Sequence, residues 1–390
     1  MSTLTDIKSQ VRSDQTNQVA SSPIEAPLSH GQRALWLLQQ LTPESGAYNL
    51  VYAVELHGKL DLSAFKRAFS ELAARHDALR TTFLERDGNP VRLIHPHMDG
   101  YFEIEDAQDW TEAALKERLN TEVYRSFDMT RGPLARMLLL KRSTETWVLL
   151  LSMHHSITDL WSFAIFIYEL SKLYDQEATG TPAKLRDLRA NYTDFVRQQE
   201  DMVSGPEGEA VWQYWRDQLA GELSPLELPI DHPRPPQQSY RGAAQSLVLD
   251  ASLTQALKAL SEAQGIPLHV TLLAAYQTLL HRYTGQPDIR VGSPKAGRTA
   301  RFGRLIGYFV NTVVLRARFS EDPTFLNLLT QVHENVTGAF THDKYPFSLL
   351  VERLQPTRDV SRAPIFQVMF AWQKTTRMIS SQSLASFALN

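Results

Sequence analysis

The apolar and polar positions of this chain switch repeatedly between a helical period and a period of two. LSHGQRALWLLQQLTP carries Leu35, Trp36, Leu38 and Leu41 at helical spacing. Ser29 is placed to cap the helix and Pro43 to stop it. YNLVYAVELHG, from Tyr48 to Gly58, is β-branched and partly alternating, which predicts a strand. An amphipathic helix follows from about Ser63 to Arg75. Strands are expected over Leu93 to His95 and Trp147 to Met153. A long, largely buried helix is expected over Leu160 to Tyr174. A polar bridge, DQEATGTPAKLRDLR, starts at Asp175, and a further helix starts near Asn191.

The second half opens with a Pro-rich stretch from Ser224 to Gly242, which reads as a linker or wrapping loop. AAQSLVLD is expected to be a strand, with helices over about 252–264 and 269–283. DIRVGSP and IGYFVNTVVLRARF are expected strands, the second a long one. Helices near 323–340 and 346–354 precede a last strand, IFQVMFAW. Strands and helices alternate without a strict βαβ rhythm, so the expected class is α/β in the broad sense, layered α+β. At 390 residues the chain exceeds one small core, which favours two domains or two lobes. The division expected is a flexible tail or docking linker over 1–25, a first lobe over 26–183 and a second over 184–390.

Composition narrows the function classes. A net charge of -3 and the lack of a basic stripe interleaved with aromatics argue against a nucleic-acid partner. The chain has no cysteine, which excludes disulfides, thiolate catalysis and Cys-ligated metals. Any acyl chemistry therefore needs a Ser nucleophile or direct transfer. The polar N-terminus lacks an apolar signal core, and runs such as WVLLL are too short to span a bilayer. A cytoplasmic location is expected.

The candidate chemistry lies in SMHHSITDLWSF, Ser152 to Phe163. It joins an expected strand to an expected helix, where open α/β folds display functional groups. Asp159 stands at the helix start, and spacing alone favours a helix cap. His154 and His155 must point to opposite sides if the strand runs through them, so one packs into the fold. Divergent neighbours with no H-x-x-x-H or HExxH partner argue against a metal. There is no G-x-S-x-G elbow, no G-x-G-x-x-G after a strand and no Walker loop. GSPKAGRTARFGR is basic and Gly-bearing. It reads either as an ordinary surface loop or as a grip on a phosphate-bearing arm. A His-centred acid–base site with direct transfer is the enzyme reading that remains.

MHHSITDLWS resembles the HHxxxDG signature of the condensation domains of nonribosomal peptide synthetases. Six further patches resemble that family in its order. They are the opening helix LSHGQRALWLLQQLTPESGAYN, RHDALRTTF, NYTDF, IGYFVNTVVLR, HDKYPFSLLVERL and RDVSRAPIFQVMF. Together they cover about residues 28 to 370. The resemblance implies a pseudo-dimer of two lobes like chloramphenicol acetyltransferase, with the active site in a tunnel between them. It implies no covalently bound cofactor and no metal. The phosphopantetheine arms of a donor and an acceptor carrier protein act as substrates, and the acceptor amine attacks the donor thioester directly. Neighbouring synthetase domains are the other implied partners.

Carried onto this chain, the resemblance makes His155 the active-site histidine, with His154 supporting it. It makes Asp159 structural, paired with Arg75 or, in its place, Arg80. Leu160, Trp161, Ser162, Tyr308 and Asn311 would line the tunnel or meet substrate. The family's glycine after the aspartate is Leu160 here, a form similar to condensation domains of hybrid polyketide–peptide or acyl-primed assembly lines. Family members usually run some tens of residues further, which implies a second lobe incomplete at Asn390. Two rival functions stay open: a coenzyme A-dependent acyltransferase of the same superfamily, and a non-catalytic docking or recruitment domain.

Overall fold

The computed structural model describes residues 22–373, apart from 237, 241, 320–322, 357, 358 and 360. Most of the expected tail, Arg358 and Val360 of the last motif, and residues 374–390 therefore lie outside the described residues.

The first half runs β1 (Ile24–Ala26), α1 (His30–Leu41), β2 (Asn49–His57), α2 (Leu62–Arg75), β3 (Thr81–Arg86), β4 (Asn89–Ile94), β5 (Phe102–Asp106), α3 (Glu112–Tyr124), β6 (Ala135–Lys141), β7 (Thr146–His154) and α4 (Leu160–Thr179). Local chemistry sets several of these boundaries. Ser29 and Gln32 form a reciprocal capping box at α1. Asp61 accepts from the N–H groups of Ser63 and Ala64 at the start of α2. Gly180, in the left-handed region, ends α4.

A four-stranded sheet in the order β2-β7-β6-β5 organises this half, antiparallel except for the β5–β6 pair. Residues of β7 alternate between its faces. Leu149, Leu151 and Met153 join Phe65, Phe69, Leu72, Phe166 and Leu170 of α2 and α4 in the main core. Val148 and Leu150 face Leu115 of α3 on the other side. The two covered faces hold rigid the strand end that carries the histidines. β1, β4 and β3 form a separate antiparallel sheet.

The second half runs α5 (Tyr192–Ser204), α6 (Pro206–Gln218), α7 (Ala251–Ala263), α8 (Leu268–Thr284), β8 (Asp288–Lys295), β9 (Asn311–Arg318), α9 (Phe325–Thr341) and α10 (Phe347–Leu354). β8 and β9 pair antiparallel, and Val291, Val313 and Leu315 pack with Leu273, Leu329, Val332 and Phe366 in a second core. No described helix is long and apolar enough to cross a membrane.

Four expectations need correction. The long helix continues to Thr179, so the polar bridge is shorter than its composition suggests. AAQSLVLD is not a strand: no described strand pairs with it, and Leu247 and Val248 are 86% and 90% exposed. Alternation marks β propensity, but a strand needs a partner for its backbone groups. IFQVMFAW contributes one bridge, with the Gly292 N–H donating to the Val368 carbonyl and the Phe370 N–H donating to the Gly292 carbonyl. The strand expected from Ile306 begins only at Asn311, because side chains of the first half, together with Tyr192 of α5, bond the backbone of residues 306–309.

Candidate active site at the junction of the two halves

β7 ends at His154, and one short turn, His155–Ile157, leads to α4. The His155 N–H still bonds the Tyr48 carbonyl at 2.8 Å, which extends the β2 pairing by one step. Strand alternation sends the two histidines apart. His154 is 1% exposed. Its Nδ1 accepts from the Ser156 N–H at 3.2 Å, and Phe127 meets its ring edge-on. Burial, with a smaller contribution from His155, pulls His154 down to about 3, so it is neutral. It is the packed histidine of the pair.

His155 is half-buried. Its Nδ1 lies 2.7 Å from the Thr158 carbonyl. A carbonyl only accepts, so Nδ1 carries a hydrogen, and in the neutral ring Nε2 holds the lone pair. Tyr308 stands edge-on to the ring at 5.0 Å between centroids. Burial pushes the Tyr308 phenol up, and the nearby Asp159 carboxylate adds to the shift. Tyr48 is pushed up to about 12 by burial and by Tyr240, whose ring lies 6.4 Å away. The site therefore offers one basic nitrogen beside phenols that stay protonated.

Asp159 caps α4 as its position suggests, accepting from the Ser162 N–H at 2.7 Å. It is also half of a buried ion pair, but its partner is neither Arg75 nor Arg80. Arg298 Nη2 lies 2.9 Å from Asp159 Oδ1, with both side chains nearly inaccessible. Arg75 turns from the end of α2 to Glu169 of α4, 2.9 Å away. Arg80 folds back on the carbonyls of Ala73 and Ala74 and pairs with Asp77. Arg298 belongs to GSPKAGRTARFGR, so that loop spends this cation inside the protein. Arg298 Nη1 also donates to the carbonyls of Phe302 and Leu305. Burial pulls the Arg298 guanidinium down, and Asp159 pushes it back.

Through this loop the second half enters the first. Ile306 is part of the first core, while Phe302, Leu305 and Phe309 pack with Tyr192 and Val196 of α5. Ser162 Oγ donates to the Gly307 carbonyl and accepts from its N–H. Tyr192 Oη donates to the Tyr308 carbonyl, and the Phe309 N–H donates to Asp159 Oδ2. Of the other expected residues, Leu160 and Trp161 are 40% and 39% exposed, and Trp161 Nε1 donates to the Gly303 carbonyl. Asn311 lies further along. Its amide donates to the carbonyls of Asp343 and Tyr345 and accepts from the Phe347 N–H, pinning the start of α10.

The sequence reading missed Arg298, Glu169, His76 and Tyr192. Glu169 gave a signal, as the one carboxylate within LWSFAIFIYELSKLY, since a buried acid calls for a partner. A shallow hollow of 820 Å³ against α3 and a cavity of 270 Å³ between α2 and residues 96–102, the latter lined in part by Arg80, do not include His155, Asp159 or Arg298. Among the described residues no cluster of three or more His, Cys, Asp or Glu could hold a metal.

A family model described as a condensation domain matches residues 24–388. A linear gramicidin synthase from Brevibacillus parabrevis is 42% identical over 353 residues, 89% of this chain and 4% of that protein. Malpinin synthetase from Mortierella alpina is 36% identical over 375 residues, 94% of this chain and 5% of that protein. The chain thus spans a small fraction of the curated relatives it matches. A solved complex of the X-domain and OxyB from teicoplanin biosynthesis matches with a TM-score of 0.82 at 30% identity, covering 89% of this chain and 77% of that one. The first condensation domain of the calcium-dependent antibiotic synthetase, in complex with a substrate analogue, matches in fold with a TM-score of 0.72 at 21% identity. It covers 89% of this chain and 79% of that one.

Proposed function

The chain belongs to the condensation-domain family of nonribosomal peptide synthetases, and from that premise we propose that it joins two carrier-bound substrates through an amide bond. A donor carrier protein presents an acyl thioester on its phosphopantetheine arm. An acceptor carrier presents an aminoacyl amine, and the two meet at His155 in a tunnel between the halves. The observation that carries this reading is the His155 tautomer. With Nδ1–H held by the Thr158 carbonyl, Nε2 is free to accept a hydrogen bond or a proton from the attacking amine.

An α-amino group has a pKa of about 8, so part of it is neutral near pH 7 without help from the protein. His155 then orients the amine and takes its proton as the tetrahedral centre forms, and the donor thiolate leaves as the amide carbonyl re-forms and receives that proton from His155. Bringing two tethered reactants together supplies up to roughly 7–11 kcal/mol of the acceleration. General base catalysis adds about 10²–10⁴-fold. No acyl-enzyme is needed, which suits a chain without cysteine.

The test is intact-mass analysis after mixing the protein with an acyl-loaded donor carrier and an aminoacyl-loaded acceptor carrier. A mass gain on the acceptor carrier supports the proposal. Turnover with coenzyme A thioesters and not with carrier thioesters would assign the chain to the coenzyme A-dependent branch instead. A second reading, a docking domain that recruits a partner enzyme, draws support from the likeness to the X-domain of the OxyB complex. A folded protein that forms no amide with either donor would favour it.

A further inference from the structure

Four consecutive residues of the crossover, Ile306 to Phe309, have backbone groups held by side chains of earlier elements rather than by a neighbouring strand. Ser162 holds Gly307, Tyr192 holds the Tyr308 carbonyl, and Asp159 holds the Phe309 N–H. The fourth grip comes from His76, the residue that follows α2. The Ile306 N–H donates to His76 Nδ1 at 3.4 Å. On the far side of the ring, His76 Nε2 lies 2.8 Å from Glu169 Oε2. The same carboxylate oxygen accepts from Arg75 Nε at 2.9 Å. His76 and Glu169 are 2% and 5% exposed, so water does not substitute for these bonds.

The proton positions follow from the partners. An N–H can donate only to a bare nitrogen, so Nδ1 of His76 is unprotonated and Nε2 carries the hydrogen that Glu169 accepts. Arg75 balances Glu169, Glu169 fixes the His76 tautomer, and His76 holds the backbone two residues before Tyr308. Tyr308 is the ring that meets His155 edge-on. We propose that His76, oriented by Glu169 and Arg75, is a positioning residue that fixes the crossover and thereby sets Tyr308 against His155. RHDALRTTF thus serves the site through the crossover rather than through Asp159. The proposal rests on the condensation reading for its kinetic consequence and on geometry alone for its structural one.

Two substitutions separate the two bonds. In His76→Asn the side-chain oxygen sits near Nδ1 and accepts from Ile306, while the bond to Glu169 is lost. In His76→Gln the amide reaches Glu169 near the Nε2 position, while the acceptor for Ile306 is lost. His76→Asn gives up the short bond to a carboxylate and His76→Gln the longer neutral bond, so a merely structural role predicts the greater loss in His76→Asn. Positioning predicts the reverse. His76→Gln should lower kcat by about 10²-fold, as expected for a displacement near 1 Å, with KM little changed, and His76→Asn should stay much closer to wild type.

Amide hydrogen exchange in a peptide spanning 302–312 should rise in His76→Gln and not in His76→Asn, whether or not the carriers chosen support turnover. Equal exchange in the two variants overturns the hydrogen bond. Faster exchange with kcat within twofold of wild type overturns the positioning role. A wild-type protein that exchanges as expected but forms no amide counts against the condensation reading and leaves the structural assignment standing.

Discussion

Truncating Arg298 to alanine is expected to be the most damaging single change at this junction. Arg298 neutralises a carboxylate that is almost inaccessible, and it bonds the carbonyls of Phe302 and Leu305 within its own loop. Without it, Asp159 keeps only the N–H groups of Ser162 and Phe309, at 2.7 and 3.1 Å, in a place that water does not reach. Removing one partner of a buried pair costs about 3–5 kcal/mol, mostly because the remaining charge is uncompensated. In Asp159→Ala the stranded charge is Arg298, which retains the carbonyls of Phe302, Leu305 and Gly307 and the Ser162 hydroxyl as acceptors, so that loss should be smaller. The double variant strands no charge. Its loss should fall short of the sum of the singles by about 2–3 kcal/mol, the upper part of the range for directly coupled residues. Urea unfolding midpoints of the four proteins, at a common slope, measure this cycle. Losses that add within about 0.5 kcal/mol would refute the pairing. A parallel cycle with Arg75→Ala should be additive with Asp159→Ala. Strong coupling there would restore the partner the sequence suggested.

Other outcomes follow from individual contacts. His154 is held at about 3, well below the usual histidine value of roughly 6.5. Below pH 6.5 the unfolded chain therefore takes up a proton that the folded chain refuses. Stability should fall as pH drops from there towards 3, with a slope of about 1.4 kcal/mol per pH unit from this group. His154→Gln should flatten that limb in unfolding curves taken between pH 4 and 7, and an unchanged slope would contradict the assignment. A Cβ at Gly31 would lie 2.4 Å from a ring carbon of Tyr308. Gly31→Ala should therefore displace Tyr308 and lower the condensation rate more than it lowers the melting temperature. A full rate in Gly31→Ala would show that the Tyr308 contact is dispensable.

The frame of the first half was legible because its signals are local. Ser29 and Pro43 bracket α1, and the apolar run into His154 followed by Asp159 marks a strand-to-helix junction. What escaped was pairing over long sequence distances. Arg298 lies 139 residues from Asp159, in a loop without apolar periodicity, and Arg75 was a nearer candidate in a matching motif. The same limit explains the misread strands. AAQSLVLD and the start of IGYFVNTVVLR carry β-type residues, but what their backbones bond is decided elsewhere. Among the described residues no strand pairs with the first, and side chains of the first half hold the second. Asn311 sits in a patch that resembles a family motif, yet its amide is committed to the turn before α10. Glu169 shows the converse, since a lone carboxylate in an apolar helix announced a partner without naming it.

In the proposed condensation centre the two halves meet and His155 Nε2 faces the attacking amine. The most direct measurement is a single-turnover rate of amide formation between loaded carriers, for wild type and for His155→Ala, with both proteins shown to be folded. His155→Ala should lose about 10²-fold or more, with residual turnover from the tethered substrates. A His155→Ala rate within twofold of wild type would contradict it.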